Sequence, residues 1–574
     1  MENLVGKQTR KGFRLTWRDQ PLIADHPVTA WQSLLAARNL HESDAFFAPA
    51  LSDLPDPFQM KDMETAAIRL ADAIEKQEQI HVFGDFDCDG VSGTTVLVAA
   101  LQAAGAKVEF SIPHRADDGH GIGVEPVKQA FEAGATLGIS VDTGTTCLDA
   151  CDMAQSLGFD LMITDHHLPD AVLPNAFALL NPARKDCGFA DGILCGTGVA
   201  FFLLMATWKI LGDRNKRPNY DLKQLLDRVA MATVADVMPL RGVNRILVHV
   251  GLQQLKTSPS IGMAALMNIA KVKQHKVSSE TIGYYLAPRV NAAGRMRHGE
   301  EALRLLCSNS PEEAMQLATS LDNCNQERRK IEADTYKEAL GKLKGINENK
   351  RTSSQEKNEI LAVYDAAWHA GVVGLVAGRL SRQHGRPAAV GFVDNEQNIR
   401  VSLRGQKGFH IGELLHTCAD HLDGFGGHAG AGGGTVKAGS WDAFVLDFTQ
   451  AVQDQQKTFG QHMELPVDGV LQLSALHIGL AQRLQKFEPV GHGNHGCKWL
   501  LADVTVVDVK KLKGGVLRVS LTDGKSFINA VAFGASVLEP DLQLGVNISL
   551  LGELKADDFR GGDAVQFVIE DIVI

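Results

Sequence analysis

Short apolar segments alternate with helical ones from about residue 66 to residue 180, and this alternation limits the possible folds more than any other feature. The apolar segments predict strands at residues 79–86, 108–112, 137–141, 161–164 and 176–180. Helices are predicted between them at residues 66–76, 93–104, 126–133 and 148–157. Because apolar strands separated by amphipathic helices are typical of parallel sheets covered on both faces, the pattern predicts a doubly wound α/β domain.

An aspartate stands near or directly after the end of three of these predicted strands, namely Asp85, Asp142 and Asp165. In a doubly wound sheet, ligands bind beyond the carboxyl ends of the strands, which is where these side chains would lie. A fourth acid, Asp236, stands in an almost entirely apolar stretch at residues 231–240. Burial of a carboxylate there costs free energy unless the group is paired or bound to a metal. We therefore expect these carboxylates at one rim of the sheet.

The first acid opens the hexapeptide Asp85-Phe86-Asp87-Cys88-Asp89-Gly90, which has the aspartate spacing of a calcium-binding EF-hand loop. The twelfth position of such a loop is a glutamate, but it is Val96 here, and a strand precedes the hexapeptide instead of a helix. An EF-hand is therefore excluded. A hydrated acidic turn remains the structural alternative for the hexapeptide, as a helix cap does for Asp142.

Two adjacent histidines, His166 and His167, follow Asp165. An imidazole that is oriented by an acid is a natural ligand for a transition metal. Unpaired carboxylates at one rim would repel one another and raise their pKa values. Two divalent cations about 3.5–4 Å apart would neutralise them and form a site for phosphoryl transfer. Mixed carboxylate and imidazole ligands suit Mn²⁺ and tolerate Mg²⁺.

Beyond the predicted sheet, the character of the chain changes several times. Helices dominate residues 198–343, and the polar residues 345–357 predict a linker or exposed loop. Further strands are predicted at residues 360–364 and 388–393, followed by a glycine-rich loop at residues 425–434. From about residue 465 the pattern predicts a small barrel with strands at residues 500–509, 516–521, 528–533, 546–551 and 564–569.

The charge balance excludes a diffuse basic surface, because 57 Lys and Arg residues stand against 68 Asp and Glu residues, a net charge of −11. A nucleic-acid partner would therefore have to meet local basic patches or bound metal ions.

Nine scattered cysteines without a Cys-x-x-Cys pair fit a reducing compartment, and the N-terminus offers no signal peptide. The longest uncharged apolar stretch, residues 192–208, has 17 residues, fewer than the about 20 of a membrane span. We expect a cytoplasmic protein without membrane contact, in which that stretch forms a buried loop and helix.

Four motifs occur in order: Gly-Asp-Phe-Asp-Cys-Asp-Gly at residues 84–90, Val-Asp-Thr-Gly at 141–144, Asp-His-His at 165–167 and Thr-Val-Ala-Asp at 233–236. Together they resemble the DHH phosphoesterase superfamily. Further motifs at residues 288–295, 368–374 and 426–432 resemble its RecJ branch, the 5′→3′ exonucleases specific for single-stranded DNA. The resemblance runs from about residue 60 to the C-terminus.

The resemblance implies a doubly wound parallel-sheet DHH domain, a second α/β DHH-associated domain and a C-terminal OB-like β-barrel. The corresponding boundaries are an N-terminal segment at residues 1–60, the DHH catalytic domain at 61–250, a helical connector at 251–345, the DHH-associated substrate-binding domain at 358–455 and the OB-like nucleic-acid-binding domain at 465–574.

The resemblance also implies roles for the acids and the histidines. The implied ligands of two cations are, in chain order, Asp85, Asp87, Asp142, His166 and Asp236. Asp85 would bind one cation and Asp87 the other, with Asp142 as the bridge between them. Asp165 would orient His166, and His167 would face the scissile phosphate, which makes Asp165 and His167 the implied catalytic residues. His81, four residues before the first of these acids, matches a metal-binding histidine of some superfamily members and is a further candidate ligand.

A site for a terminal 5′ phosphate is implied at Ser402 and Arg404, which match two positions of the family's usual Gly-Ser-x-Arg-Ser motif. Residues 401–405 lack the first glycine and the last serine of that motif. Arg115 matches a third contact to phosphate. The other substrate-binding candidates, carried by the RecJ-branch motifs, are Arg289, Asn291, Arg295 and His428. For Arg404 and Arg115, the structural alternative is an ordinary arginine on the surface that binds no phosphate.

In the predicted barrel, the candidates for charged contacts to a single strand are Lys510, Lys511, Lys513 and Arg518. Phe527 and Phe533 are candidates for stacking on bases, and burial of both in the barrel core is the alternative. No nucleotide cofactor is expected. Residues 426–434 lack the Gly-Lys-Ser/Thr of a P-loop, and residues 196–198 lack the third glycine of a dinucleotide-binding loop.

The resemblance implies a metal-dependent exonuclease that hydrolyses single-stranded DNA 5′→3′ to mononucleotides in DNA repair and recombination, and the carboxylate and imidazole pattern agrees with two Mn²⁺ or Mg²⁺ ions. A DHH-type phosphodiesterase for oligoribonucleotides or cyclic dinucleotides is the alternative enzyme, but such enzymes are shorter and lack the C-terminal module. A catalytically inactive replication scaffold is disfavoured, because such relatives lose metal ligands that this chain keeps. We expect a monomer whose partners are single-stranded DNA, a single-strand-binding protein and a helicase.

Overall fold

The computed structural model describes residues 7–11, 13–18, 23–113, 121–349, 361–459, 464–513, 515–533, 537–557 and 560–574. These residues form two compact units. The larger unit contains the described residues of Ala50–Phe459 and Gly491–Gly493, and the smaller unit contains those of Met1–Pro49, Gly460–Val490 and Asn494–Ile574. The described residues before Ala50 thus fold with the C-terminal part of the chain, an association that no sequence pattern indicated.

The larger unit begins with a five-stranded parallel sheet, which confirms the predicted doubly wound domain. Its strands are, in spatial order, Lys107–Ser111, Gln79–Gly84, Leu137–Val141, Asp160–Thr164 and Ala178–Leu180. The accompanying helices are Met63–Lys76, Cys88–Ala103, Val124–Glu132, Leu148–Leu157 and Gly196–Asp213. Apolar clusters cover both faces of this sheet. Successive residues of a strand point to opposite faces, and Met162 packs in one cluster while its neighbours Leu161 and Ile163 pack in the other.

Two helices around this sheet can be compared with the predicted helix start and the predicted buried segment. The helix Cys88–Ala103 begins five residues earlier than predicted, because Asp87 caps it by accepting hydrogen bonds from Asp89 N at 2.8 Å and Gly90 N at 3.2 Å. The apolar stretch at residues 192–208 forms, as expected, a short loop followed by the first part of the helix Gly196–Asp213, and most of it is buried. Among the described helices, none has both the length and the apolar character needed to cross a membrane.

A mainly helical region follows the sheet, as the sequence predicts. Its helices are Leu226–Ala235, Gly242–Thr257, Ile261–Ile269, Ser279–Thr281, Ala287–Met296, Glu300–Cys307 and Pro311–Asn349, with a π-helical turn at Ile282–Leu286. The last helix continues through residues 345–349, where polar composition predicted a linker or exposed loop. That prediction is wrong for these five residues, because polar residues also occupy the solvent face of a helix and no proline interrupts the segment. The remainder of the predicted linker lies outside the described residues.

A second five-stranded sheet completes the larger unit. Its strands are, in spatial order, Leu422–Gly427, Ala431–Val436, Ile399–Arg404, Ala388–Val393 and Ala362–Asp365, and its helices are Ala370–His384, Ile411–Thr417 and Trp441–Phe459. The prediction of a glycine-rich loop at residues 425–434 is wrong, because most of these residues form two antiparallel strands. A Cβ on Gly432 would lie 2.6 Å from Leu415 Cδ1, so glycine is needed there for close packing between a strand and a helix.

The smaller unit contains the predicted barrel. Its main sheet has the strand order Val516–Thr522, Phe527–Ala532, Val565–Val573, Asn547–Ala556, Trp499–Leu512, Gly469–Leu471 and Ile23–Ala24. Pairing of the first strand in this order with the fifth closes five strands into a barrel, which confirms the prediction. Two further strands, Arg14–Trp17 and Glu464–Val467, pair in parallel, and the helices of the unit are Pro27–Ala37 and Ile478–Leu484. Trp31 and Trp499 are among the largest side chains of its core.

One helix of the larger unit, Ala287–Met296, packs directly on the acidic turn, residues 85–89. Asn291 Oδ1 accepts a hydrogen bond from Cys88 N at 2.8 Å. About one helical turn further on, a Cβ on Gly294 would lie only 2.2 Å from Phe86 O. We call Ala287–Met296 the strut helix, because its asparagine and its glycine together set the position of the acidic turn.

Replacement of Gly294 by alanine should push the strut helix away from the acidic turn. We expect Gly294→Ala to lower the free energy of unfolding by about 1–3 kcal/mol, the usual cost of added volume in a well-packed site. The matched control is Gly341→Ala in the helix Pro311–Asn349, where a Cβ would meet no atom within 4 Å. That variant should gain up to about 1 kcal/mol from the higher helix propensity of alanine. Denaturant unfolding measures both values, and equal values for the two variants would contradict the close contact.

Candidate metal centre

The acidic residues come together because neighbouring parallel strands end at the same edge of a sheet. The acidic turn follows the strand Gln79–Gly84, and Asp142 and Asp165 follow the next two strands in spatial order. Asp236 ends a helix that packs against the helix beginning in the acidic turn. The structure therefore places all of these carboxylates at one rim of the first sheet.

His166 lies at the centre of a first group of ligand atoms. Its Nε2 is 3.1 Å from Asp142 Oδ1, 3.5 Å from Asp236 Oδ2 and 3.8 Å from Asp89 Oδ2. Adjacent ligands of an octahedral ion, each about 2.1 Å from the metal, are about 3 Å apart, so this spacing fits a small divalent cation. Asp142 Oδ1 and Asp236 Oδ2 are buried and make no hydrogen bond to the described residues, which is unusual unless such atoms bind an ion or water.

A second group consists of Asp85, Asp87 and Asp142, whose ligand atoms lie within 4.8 Å of one another. Asp142 belongs to both groups. Its backbone is in the left-handed region with φ at 61°, and its N donates a hydrogen bond to Thr164 O at 2.9 Å. Such a conformation is uncommon for a residue with a side chain and is concentrated at functional sites.

The concentration of negative charge changes the protonation of these groups. Burial, together with repulsion from Asp89 and other nearby carboxylates, raises the pKa of Asp142 well above its usual value. Burial, with repulsion from Asp89 and Asp87, raises the pKa of Asp236 to about 8. Burial lowers the pKa of His166, and a neutral ring of this kind is able to bind a metal. Divalent cations would offset the repulsion, so the residues present fit such ions.

Asp89 belongs to the site although the sequence motifs did not single it out as a ligand. It is almost fully buried, and its two oxygens accept hydrogen bonds from Gly196 N at 2.7 Å and Thr197 N at 2.9 Å. These N–H groups start a long helix, whose positive end stabilises the carboxylate. The alternate spacing of Asp85, Asp87 and Asp89 was the signal that could have identified the third aspartate.

Asp165 orients the ring of His167, whereas the resemblance implied that it orients His166. Its Oδ1 lies 2.7 Å from His167 Nδ1 and also accepts a hydrogen bond from the backbone N of His166 at 2.7 Å. Burial favours the protonated acid, but the hydrogen bond and the charge of His167 outweigh it and lower the pKa of Asp165. The same hydrogen bond raises the pKa of His167 to about 9, so this half-exposed ring is protonated at neutral pH.

Asn181 holds the turn that carries these histidines, and no sequence signal indicated it. It is fully buried and follows the strand Ala178–Leu180. Its Nδ2 donates hydrogen bonds to His167 O at 2.8 Å and to Thr145 Oγ1 at 2.9 Å, while Thr145 N donates to Asp165 Oδ2 at 2.9 Å. Because this buried network is well satisfied, it holds the turns after neighbouring strands in one arrangement.

Several predicted site residues lie outside the two ligand groups. His81 Nε2 is 3.0 Å from a serine hydroxyl of the adjacent strand, and His81 belongs to no ligand group among the described residues. Asn291, a predicted substrate contact, accepts a hydrogen bond through Oδ1 from the backbone of the acidic turn. The guanidinium of Arg289 forms an ion pair with Asp322 at 2.7 Å. Arg115 lies outside the described residues.

The predicted phosphate-binding pair, Ser402 and Arg404, lies on the strand Ile399–Arg404 of the second sheet. A Cβ on Gly374 would lie 3.1 Å from Arg404 Nη2 and 3.3 Å from Ser402 Oγ, so both side chains face the same glycine of the helix Ala370–His384. His428 is exposed in the turn that connects two other strands of this sheet.

The helix Ala370–His384 also contacts the strut helix. A Cβ on Gly371 would lie 2.4 Å from Arg295 O, near the end of the strut helix. Gly371 and Gly374 are one helical turn apart, and through them the pair on the second sheet is connected to the helix that positions the acidic turn. The acidic turn and the pair Ser402 and Arg404 are therefore connected through the packing of these two helices.

In the smaller unit, Phe527 and Phe533 have exposed fractions of 74% and 62%, so the alternative that they form barrel core is wrong. They lie on the outward side of one strand and its end, about 20 Å apart at 3.4 Å per residue. Arg518 pairs with Lys510 on the neighbouring strand. Lys511 forms an ion pair with a glutamate, whereas Lys513 is exposed beyond the end of its strand.

Three segments of the chain match known domain families. Residues 79–233 match the DHH family, N-terminal domain, residues 357–454 match the DHHA1 domain, and residues 467–571 match the RecJ OB domain. The matches correspond to the first sheet with its helices, the second sheet and the barrel.

Comparison over the whole chain leads to the same group. Single-stranded-DNA-specific exonuclease RecJ of Bacillus subtilis is 32% identical over 93% of this chain and 65% of its own length. The Haemophilus influenzae protein of the same name is 30% identical over 96% of both chains. The crystal structure of RecJ in complex with Mn²⁺ from Thermus thermophilus has a TM-score of 0.77 at 26% identity, and the match covers 96% of this chain and 79% of that one. The ordered motifs, the shared domains and this extended similarity show that the chain belongs to the RecJ family of single-stranded-DNA-specific exonucleases.

Proposed function

We propose that this protein removes nucleotides from the 5′ end of single-stranded DNA with divalent cations held by the two ligand groups, and that it acts in DNA repair and recombination. The observation that supports this most is Asp142, a buried carboxylate shared by both groups, whose Oδ1 makes no hydrogen bond to the described residues. The Bacillus and Haemophilus relatives are single-stranded-DNA-specific exonucleases, and the Thermus structure contains Mn²⁺. The donor set suits Mn²⁺ and also accommodates Mg²⁺.

Two bound cations supply the Lewis acidity that polarises a phosphoryl group and activates water in phosphodiester hydrolysis. The neutral ring of His166 and the surrounding carboxylates would hold them, and Asp142 is a member of both ligand groups. Protonated His167 acts on the substrate, because its Nδ1 is bound to Asp165 and its Nε2 is left to donate to a phosphate oxygen. A charged donor of this kind stabilises the developing charge of a transition state more than the charge of the bound substrate.

An exonuclease needs a feature that binds one chain end at a fixed distance from the reaction. We assign this role to Ser402 and Arg404, because a terminal phosphate has more charge than an internal diester and arginine can bind it through two hydrogen bonds. The packing at Gly371 and Gly374 connects this pair to the acidic turn through the strut helix. A constant distance would define a product of constant length, as release of mononucleotides requires.

The barrel is proposed to hold the strand beyond the catalytic site. OB-folds bind single strands through basic grooves and stacked aromatic side chains, and Phe527 and Phe533 are exposed on one side of the barrel. We further propose that the protein acts as a monomer. A helicase and a single-strand-binding protein are the partners expected of such an enzyme, because duplex DNA must be opened and the strands kept apart before digestion.

Activity and its metal dependence can be tested together. The protein should digest 5′-labelled single strands in Mn²⁺ or Mg²⁺, digest duplex ends and dinucleotides much more slowly, and lose activity in EDTA. Asp142→Ala should lower the rate by more than the roughly 10²–10³-fold typical of one lost transition-state donor, since both ligand groups lose a member. The control Asp152→Ala changes an exposed aspartate of the helix Leu148–Leu157 and should keep the full rate. A tenth of the wild-type rate in Asp142→Ala, or equal rates on duplexes, would contradict the proposal.

Polarity can be tested at Arg404. The wild type should cut a 5′-phosphorylated strand faster than a 5′-hydroxyl strand, and Arg404→Ala should remove most of that preference. The expected loss is about 1.5–3 kcal/mol, the usual contribution of a hydrogen bond to a charged group. Arg400→Ala is the matched control, because Arg400 is on the same strand but binds Asp394 at 3.0 Å. Equal wild-type rates on the two 5′ ends, or digestion from 3′ ends, would exclude this assignment.

The role of the barrel can be tested with Phe527→Ala and Phe533→Ala. Each should weaken binding of long single strands by about 1–3 kcal/mol, the cost of losing one stacked base, and leave the hydrolysis of short strands nearly unchanged. Leu544→Ala removes an equally exposed apolar side chain of the same unit and serves as the control. Point variants are preferable to deletion of residues 465–574, because residues 23–49 pack in that unit. Unchanged affinity in both phenylalanine variants would assign the barrel a structural role.

A further inference from the structure

Tyr284 and Tyr285 are exposed side by side on the π-helical turn Ile282–Leu286. Their exposed fractions are 77% and 51%, whereas the residues at both ends of the turn are buried. The chain contains only five tyrosines. Adjacent exposed aromatic side chains are candidates for contact with a partner, and π-helical turns occur frequently at functional sites.

The turn lies beside the metal centre. A Cβ on Gly283 would lie 3.8 Å from Val234 Cγ1, and Val234 is two residues before Asp236, a member of the first ligand group. Val237, the next residue after that aspartate, is itself 66% exposed. The turn thus packs against the helix whose C-terminal end is Asp236, and Val237 exposes a further apolar side chain at that end.

The turn is held in this conformation by Arg289 of the strut helix. Its Nη1 donates a hydrogen bond to Tyr285 O, and its Nη2 lies 2.7 Å from Asp322 Oδ1 in the long helix Pro311–Asn349. The guanidinium, which the motif implied as a substrate contact, therefore braces the backbone that presents the tyrosines. A braced turn loses little conformational entropy when its side chains bind a ligand.

We propose that Tyr284 is a stacking platform for one base of the single strand at the entrance to the metal centre, with Tyr285 beside it. This inference rests on the proposed function and adds a base contact to the phosphate contacts assigned above. Every base has a π face, so a tyrosine ring can stack on any of them without sequence preference. The face of a base is open to such a ring only when the base is unstacked, as in a single strand.

The surroundings favour a base over a protein surface as the occupant. The turn that carries the rings packs on the helix ending at Asp236, one of the proposed metal ligands, so a strand bound at those ligands would pass close to the turn. The chain has a net charge of −11, and a strand of phosphates gains little from long-range attraction to such a protein. Stacking on a neutral ring supplies affinity without opposing that charge.

The test measures KM from initial rates in Mn²⁺ and equilibrium binding of a labelled 5′-phosphorylated strand by fluorescence anisotropy in EDTA. Tyr284→Ala should raise both KM and Kd by about 5- to 150-fold, the range found by alanine substitution for one stacked base, with a smaller change in kcat. Tyr284→Trp should restore wild-type values. Leu446→Ala, an exposed apolar residue on the helix Trp441–Phe459, is the control and should match the wild type.

A strand whose bases near the 5′ end are replaced by abasic sites provides the decisive comparison. The wild type should bind this strand as weakly as Tyr284→Ala binds the normal one, and the variant should lose nothing further. Equal affinity of wild type and Tyr284→Ala for the normal strand would overturn the inference. So would an equal loss on normal and abasic strands, because it would indicate a change of fold. A wild type that neither binds nor cuts any single strand would instead overturn the proposed function.

Discussion

Repulsion among buried carboxylates is the physical constraint on which the rest of this structure depends. Parallel strands of one sheet end side by side, so the acids that follow them are forced into a small volume from which water is largely excluded. The protein offsets part of the cost with its own groups: a helix N-terminus donates to Asp89, and the protonated ring of His167 lies against Asp165. The pKa values of Asp142 and Asp236 remain raised by burial and by the neighbouring carboxylates, and divalent cations would favour the ionised forms of both groups.

The position of this charged rim is determined by close backbone contacts that only small residues allow. Gly294 brings the strut helix against Phe86 O, and Gly371 brings a helix of the second sheet against the strut helix. Asn291 adds a hydrogen bond to the same acidic turn. The acidic rim and the pair Ser402 and Arg404 lie on two different sheets and are thus connected through closely packed helices.

The net negative charge of the chain also affects how it can hold a strand of phosphates. A protein with a basic surface gains affinity from charge alone, but here 68 acids outnumber 57 bases. Exposed aromatic rings are an alternative source of affinity, because stacking does not depend on charge. Phe527 and Phe533 on the barrel and Tyr284 in the larger unit are all exposed, and each belongs to a segment with buried neighbours. Neutral contacts of this kind would also make binding less sensitive to salt than contacts to phosphates alone.

The sequence by itself determined the strand and helix pattern of the first sheet, the small barrel and the presence of acids at strand ends. These features depend on apolar periodicity and on strand termini, which are properties of neighbouring residues. Only the tertiary structure decided that Asp89 lies 3.8 Å from His166, that Asp165 orients His167, and that most of residues 425–434 form paired strands. It also assigned Asn291 to the acidic turn. Each of these outcomes depends on the partner that a residue meets in the folded chain, and a local pattern contains no information about that partner.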